Sequence, residues 1–277
     1  MVDTQRFVDL RRPRRIWAIA AIHGEVERLA AVHDGLGQRF RPGDRLVYLG
    51  NIVGRGLQVG DTIDEVLYFR RALLSLPGML AGDIVFLRGA QEEMWQKLLQ
   101  IQLAPNPRDV LDWMLRQGVD RTLEAYGSSG DQARAMVREG VRGLTRWTNS
   151  LRGAVRERPG HEALFSALRR AAFTGTPRES AMNGEPATGV LLVSAGFDPE
   201  RSFEAQGDCF WWGGAQFLRI AQPYGGIGRF VRGFDPARGG IQVGEYTTTL
   251  DGGCGLGGKL VCACLSPSGE IQEMIEA

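Results

Sequence analysis

The chain has 277 residues, 33 Lys and Arg against 32 Asp and Glu, and a 43% hydrophobic composition. Near-neutral charge gives no global field for nucleic acid or an anionic membrane surface, and no apolar run approaches the roughly 20 residues of a membrane-spanning helix. What remains is a cytoplasmic globular protein with a sizeable core, as one large α/β domain or two small ones.

Arg11, Arg12, Arg14 and Arg15 form a basic cluster, and residues 1–15 are expected to be a flexible arm. Ile16–Ile22 is then continuously apolar, the pattern of a strand buried on both faces. Glu25–Phe40 has helical spacing, Pro42-Gly43-Asp44 is a turn, and Arg45–Leu49 is a second short strand. Asp61–Leu76 is helical, Pro77–Gly82 breaks it, and Asp83–Leu87 is a third strand. This alternation predicts parallel pairing in a layered core. A glycine-containing segment follows each strand, where open α/β sheets place ligand sites.

Glu92–Leu103, Arg108–Gln117, Arg121–Tyr126, Asp131–Leu151 and His161–Ala172 read as helices. Residues 94–175 are therefore expected as a helical insert between two strands of one sheet. Residues 175–189, rich in Gly, Pro, Thr, Ser and Asn, read as an exposed loop. Val190–Val193, Phe230–Val231, Ile241–Tyr246 and Lys259–Ser266 are short strands between glycine-rich turns, as in a second, mixed or antiparallel sheet. The predicted class is α/β: two packed mixed β-sheets flanked by helices, with residues 16–277 as a single domain carrying the insert.

The four cysteines, Cys209, Cys254, Cys262 and Cys264, show no CxxC pair and are expected to be reduced, mostly buried thiols. His33 and His161 lie away from the glycine segments and are expected at the surface or in helix caps. The segment 253–258 satisfies G-x-G-x-x-G, but a strand follows it where a dinucleotide fold needs a helix, so it reads as a turn. The aromatic run Phe210-Trp211-Trp212 suits core packing or a partner surface.

The three glycine segments carry a resemblance. Ile19–Gly24 (I-A-A-I-H-G), Tyr48–Gly56 (Y-L-G-N-I-V-G-R-G) and Phe86–Met94 (F-L-R-G-A-Q-E-E-M) resemble the G-D-x-H-G, G-D-x-x-D-R-G and G-N-H-E signatures of the calcineurin-like metallophosphoesterases. The nearest branch in pattern holds serine/threonine phosphatases and bacterial dinucleotide-tetraphosphate hydrolases. Asp112–Gly127, Val193–Pro199, Val231–Pro236 and Thr249–Leu260 continue the resemblance in order. It implies a four-layer sandwich and two-metal phosphoester hydrolysis.

The residues that would do the chemistry are largely replaced. By the same resemblance, metal-ligand positions fall on Ala21, His23, Asn51, Ala90, Ser194 and Phe234. The acid/base pair falls on Gln91 and Gly54. Hard dications need oxygen and imidazole donors with carboxylates to offset their charge, and Gln cannot transfer a proton at neutral pH. The expectation is a lost dinuclear site, no cofactor and a catalytically inactive pseudo-phosphatase. Such a protein would act by binding a protein partner or a phosphate-bearing ligand, with a residual metallophosphoesterase as the alternative. Glu25, Glu92 and Glu93 lie close to these loops and could in principle rescue a single cation, which is the lesser expectation. Arg55, Arg232, His23 and Asn51 are the anion-binding candidates; Arg55 matches a phosphate-contacting arginine, with pairing to Asp61 or Asp235 as the bland alternative. Arg88 is expected to be structural.

Overall fold

The computed structural model describes residues 3, 5–177 and 187–277; residues 178–186 of the expected exposed loop lie outside them. The first strand, β1 (Phe7–Asp9), pairs in parallel with residues 171–173. This corrects the expected flexible arm over residues 1–15. Phe7 and Leu10 are buried in the core while the arginines around them stay at the surface, and that apolar pair holds the segment in the sheet.

Next come β2 (Ile16–Ile19), α1 (Val26–Arg39), β3 (Arg45–Tyr48), α2 (Val59–Leu74) and β4 (Ile84–Phe86). The three strands pair in parallel, in the register Ile16 opposite Arg45 and Leu46 opposite Ile84. After α3 (Ala90–Leu98) the insert adds α4 (Pro107–Arg116), α5 (Val119–Ala125), α6 (Gly130–Arg138), α7 (Gly140–Glu157) and α8 (His161–Ala167). Gly140, at φ +76°, splits the single helix expected over Asp131–Leu151. The insert has its own core around Trp95, Leu111, Leu123, Trp147 and Leu151.

Two expectations about the insert are corrected. It stops at α8 and not at residue 175, and it does not join two strands of one sheet. The strand that follows, β5 (Ala171–Phe173), enters a second sheet with β6 (Gly189–Val193), β7 (Ile227–Arg232), β8 (Gln242–Val243) and β9 (Thr247–Thr249). That sheet is mixed, in the order β1-β5-β6-β7-β9-β8. β10 (Val261–Leu265), expected there, instead joins the first sheet antiparallel to β2, and β11 (Ile271–Glu276) pairs outside it. The reason is two-sided burial. Cys262 and Cys264 face the helices and Val261, Ala263 and Leu265 face the other sheet, which suits an interior slot.

The layers follow from strand alternation. Ala18, Val47 and Val85 meet Leu192 and Val231 between the sheets. Trp17, Ile19 and Tyr48 pack on α1 and α2. Leu191, Val193 and Phe230 lie under an aromatic cap that includes Phe197, Phe210 and Trp211. Each Val, Leu, Ile or Phe among them contributes roughly 1.5–3 kcal/mol on burial. The result is two mixed sheets flanked by helices. Among the described residues no helix is long and apolar enough to cross a membrane. The cysteines are free, three of them buried, and Cys262 and Cys264 share one face as their spacing predicts.

Candidate functional site

The loops that leave β2, β3 and β4 pack backbone against backbone, which leaves no room for a side chain at their glycines. A Cβ on Gly50 would lie 2.6 Å from the Gly89 nitrogen, and one on Gly56 would lie 2.5 Å from the His23 carbonyl. Ile22 and His23 both donate their N–H to the Asn51 carbonyl, at 3.0 and 2.7 Å. The second sheet closes on them: the Ala21 N–H donates to the Gly233 carbonyl at 3.0 Å, and Phe234 N–H to the Ser194 carbonyl at 2.9 Å. All the predicted ligand positions thus meet at one end of the two sheets. The backbone there is strained. Of five described non-glycine residues with left-handed φ, four are His23, Asn51, Arg55 and Arg238, each at a cost of about 1–3 kcal/mol.

The positions are filled as well as substituted. Ala21 and Ala90 are buried apolar residues. Phe234 presents its ring edge-on to His23, with centroids 5.4 Å apart. Gln91 spans the space above Gly54, where any Cβ would overlap its side-chain carbonyl, and donates through Nε2 to the Gln117 carbonyl in the insert at 2.8 Å. The Asn51 Oδ1 accepts from the Gln91 N–H at 3.0 Å. His23 is buried with neither ring nitrogen hydrogen-bonded. Burial, then the Arg55 guanidinium, push its pKa down to about 3, with the Val53 backbone acting in the opposite sense; the ring is neutral. Asn51 Nδ2, Gln91 Oε1 and Ser194 Oγ are likewise buried without a partner.

The carboxylates do not gather into a cation site. Glu92 is buried and accepts N–H bonds from Asn51 (2.9 Å), Ile52 (2.7 Å), Val53 (3.2 Å) and Gly89 (2.8 Å). Burial raises its pKa and those donors oppose the rise. Glu93 pairs with Arg88 at 3.0 Å and Lys97 at 3.3 Å, so Arg88 is structural as expected. The single-cation rescue that Glu25, Glu92 and Glu93 offer in principle is therefore not assembled as a group of three among the described residues. Among the described residues no group of three or more His, Cys, Asp or Glu is placed to hold a metal ion. One neutral imidazole and one amide do not fit the donor set of a dinuclear centre.

The cationic candidates separate. Arg232 is fully buried, bonded through Nε to Thr249 at 2.9 Å, paired with Asp235 at 3.0 Å and stacked 4.6 Å from the Phe217 ring centroid. It anchors the second sheet and offers nothing to an external anion, which corrects its candidacy. His23 and Asn51 are sealed from solvent and fall with it as direct contacts. Arg55 differs: it is half-buried against Gly118, its Nε has no partner, and no carboxylate pairs with it among the described residues. Burial and the neighbouring Arg238 lower its pKa, and Asp251 raises it. Asp235 is taken by Arg232, and Asp61 makes no ion pair among the described residues, so neither alternative partner neutralises Arg55 there.

Some features escaped the sequence. His33 and His161, expected at the surface, are buried. The Tyr48 hydroxyl meets His33 Nε2 at 2.9 Å, and His33 Nδ1 meets Glu65 at 2.5 Å. The Tyr126 hydroxyl meets His161 Nδ1 at 2.8 Å, and His161 Nε2 meets Asp64 at 3.0 Å. No spacing announces these relays; the only local signal is the adjacent pair Asp64-Glu65 on α2. The aromatic run divides: Phe210 and Trp211 are core, while Trp212 is half-exposed, 5.6 Å from Trp113 of α4.

No family model and no curated protein matches the chain. Solved structures do. A candidate diadenosine tetraphosphatase aligns over 99% of this chain and 97% of its own, with a TM-score of 0.56 and 17% identity. A Saccharomyces cerevisiae protein serine/threonine phosphatase aligns over 99% of this chain and 84% of its own, at TM-score 0.49 and 14% identity. A cold-active protein tyrosine phosphatase aligns over 99% and 83%, at TM-score 0.49 and 10% identity. At these identities the first likeness is one of fold, and the other two add nothing to it.

Proposed function

Given a chain that has the calcineurin-like metallophosphoesterase fold, we propose that it does not hydrolyse phosphoesters and acts instead by binding, through Arg55, an anionic group on a protein or phosphate-bearing partner. The observation that carries this reading is the filling of the catalytic positions by Phe234 and Gln91. Two-metal hydrolysis needs a pair of cations to activate water and clamp the phosphoryl oxygens, and a group to protonate the leaving oxygen. The donor set supports neither, so the reading includes loss of the dinuclear cofactor.

A guanidinium is suited to what is left. It stays charged, and its fork matches two oxygens of a phosphate or carboxylate. Among the described residues no carboxylate forms an ion pair with Arg55, although Asp251 favours its charge from a distance; its backbone is pinned by a hydrogen bond to Gly118 at 3.1 Å, and Arg238 adds a second positive charge nearby. Nucleic acid and membrane are left out of the partner class because the chain is near neutral, at +1. A cytoplasmic location completes the proposal.

Two measurements test it. Metal analysis of the purified protein and an aryl-phosphate assay with added manganese are expected to give no stoichiometric metal and no turnover; a bound metal pair with turnover overturns the reading. Calorimetry with a phosphopeptide is expected to show binding that Arg55→Ala abolishes. Heat that is the same in Arg55→Ala rejects Arg55 as the contact.

A further inference from the structure

A cleft of about 410 Å³ opens between α3, α7 and α8, within the size range of small-molecule sites. Its floor is apolar and aromatic: Trp95 and Val155 are buried there, with Phe165 and Leu168 beside them. The charges around it are unequal in what they have left to give. Arg88 is paired with Glu93, and Arg156 at the rim with Glu162 at 2.9 Å. Glu92, though it lines the cleft, has both oxygens taken by backbone N–H groups.

Arg152 is the exception. It donates to the Leu99 carbonyl, to Asn149 Oδ1 at 3.0 Å and to Thr148 Oγ1 at 3.4 Å, all neutral acceptors. A guanidinium has five N–H donors, so two remain, and no carboxylate offsets the charge among the described residues. An uncompensated half-buried cation above an aromatic floor is complementary to one kind of guest.

We propose that this cleft binds a small amphiphilic anion, with its charged head on Arg152 and its apolar body over Trp95 and Phe165. A carboxylate or a phosphate monoester supplies the head equally well. The body gains by leaving water, and the head gains a charge-assisted hydrogen bond. This site is separate from Arg55 and does not depend on whether the strand-end loops hydrolyse anything.

The test is a methyl NMR titration of the full-length protein with decanoate, decyl phosphate and decanol. Decanoate or decyl phosphate is expected to shift the methyls of Leu99, Val155 and Leu168, with decanol binding at least about tenfold more weakly. The relative affinities of the two anions identify the head. Arg152→Gln should weaken the anions about tenfold and leave decanol unchanged. Ser166→Trp, an exposed rim substitution that fills the cleft, should block all three and covers the case in which Arg152→Gln fails to fold. Arg55→Ala should leave every affinity unaltered. No shifts at millimolar anion, equal affinity for decanol and decanoate, or loss of binding in Arg55→Ala would each overturn the proposal.

Discussion

All three histidines are buried, at 1% exposure for His23, 2% for His33 and 0% for His161, yet two of them live in a different world from the third. His33 and His161 each sit between a tyrosine hydroxyl and a carboxylate, and the carboxylate, which only accepts, places an N–H on the ring nitrogen that faces it. Burial lowers both pKa values and favours the neutral ring, whose other nitrogen then accepts from the tyrosine hydroxyl. Both relays end on neighbouring residues of α2, tying that helix to β3 on one side and to the insert on the other. His23 has no hydrogen-bond partner at either nitrogen among the described residues. Its ring is fixed by the loops around it, by Gly255 against its Cβ and by the edge of Phe234. A buried polar ring adds stability where its partners remain and subtracts it where only the frame remains.

Acid should expose that difference most. The unfolded chain takes up a proton on each histidine near pH 6.5, and His23 in the folded chain refuses one until about 3. The unfolded state therefore binds more protons in that window, and stability falls as pH drops through it, by roughly 5 kcal/mol in all. Urea unfolding at stepped pH should show a slope that shrinks in His23→Leu; an unchanged slope would break the contrast. Gly54→Asp comes next, at about 3 kcal/mol of destabilisation, because φ is +85° and the new side chain overlaps Gln91. Adding Gln91→Ala should return at least about 1 kcal/mol, and strict additivity would deny the packing partnership.

The relays predict an asymmetry of intermediate size. His161→Leu should cost about 2 kcal/mol by leaving the buried Tyr126 hydroxyl without its partner, whereas His23→Leu should lie within about 1 kcal/mol of the parent or above it, by chemical denaturation at pH 7. Equal losses would erase the distinction. The smallest effect is expected at Trp113→Ala, which removes the half-exposed contact with Trp212 for about 1 kcal/mol and should lower the melting temperature slightly without touching either relay.

What the sequence made legible is what local pattern controls. The apolar runs of β2, β3 and β4 announce burial on both faces. The glycines of the three segments announce loops in close contact, and those contacts are present at Gly50 and Gly56. Partner choice was hidden because it is non-local. Four arginines masked the two apolar residues that bind β1 to β5, and nothing around Val261–Leu265 says which sheet it enters. Polar side chains were hardest. Arg232 reads as a phosphate ligand until Asp235, Thr249 and Phe217 close around it, and Glu92 reads as a metal donor until four amides claim it.

That last carboxyl has a consequence for assembly. Because Glu92 fastens residues 51–53 to Gly89 from inside, the face acquires its shape from a covalent part of the chain, and on the function proposed above it needs no mineral template during folding. Refolding in a strong chelator should therefore recover the same yield and the same melting temperature as refolding in manganese.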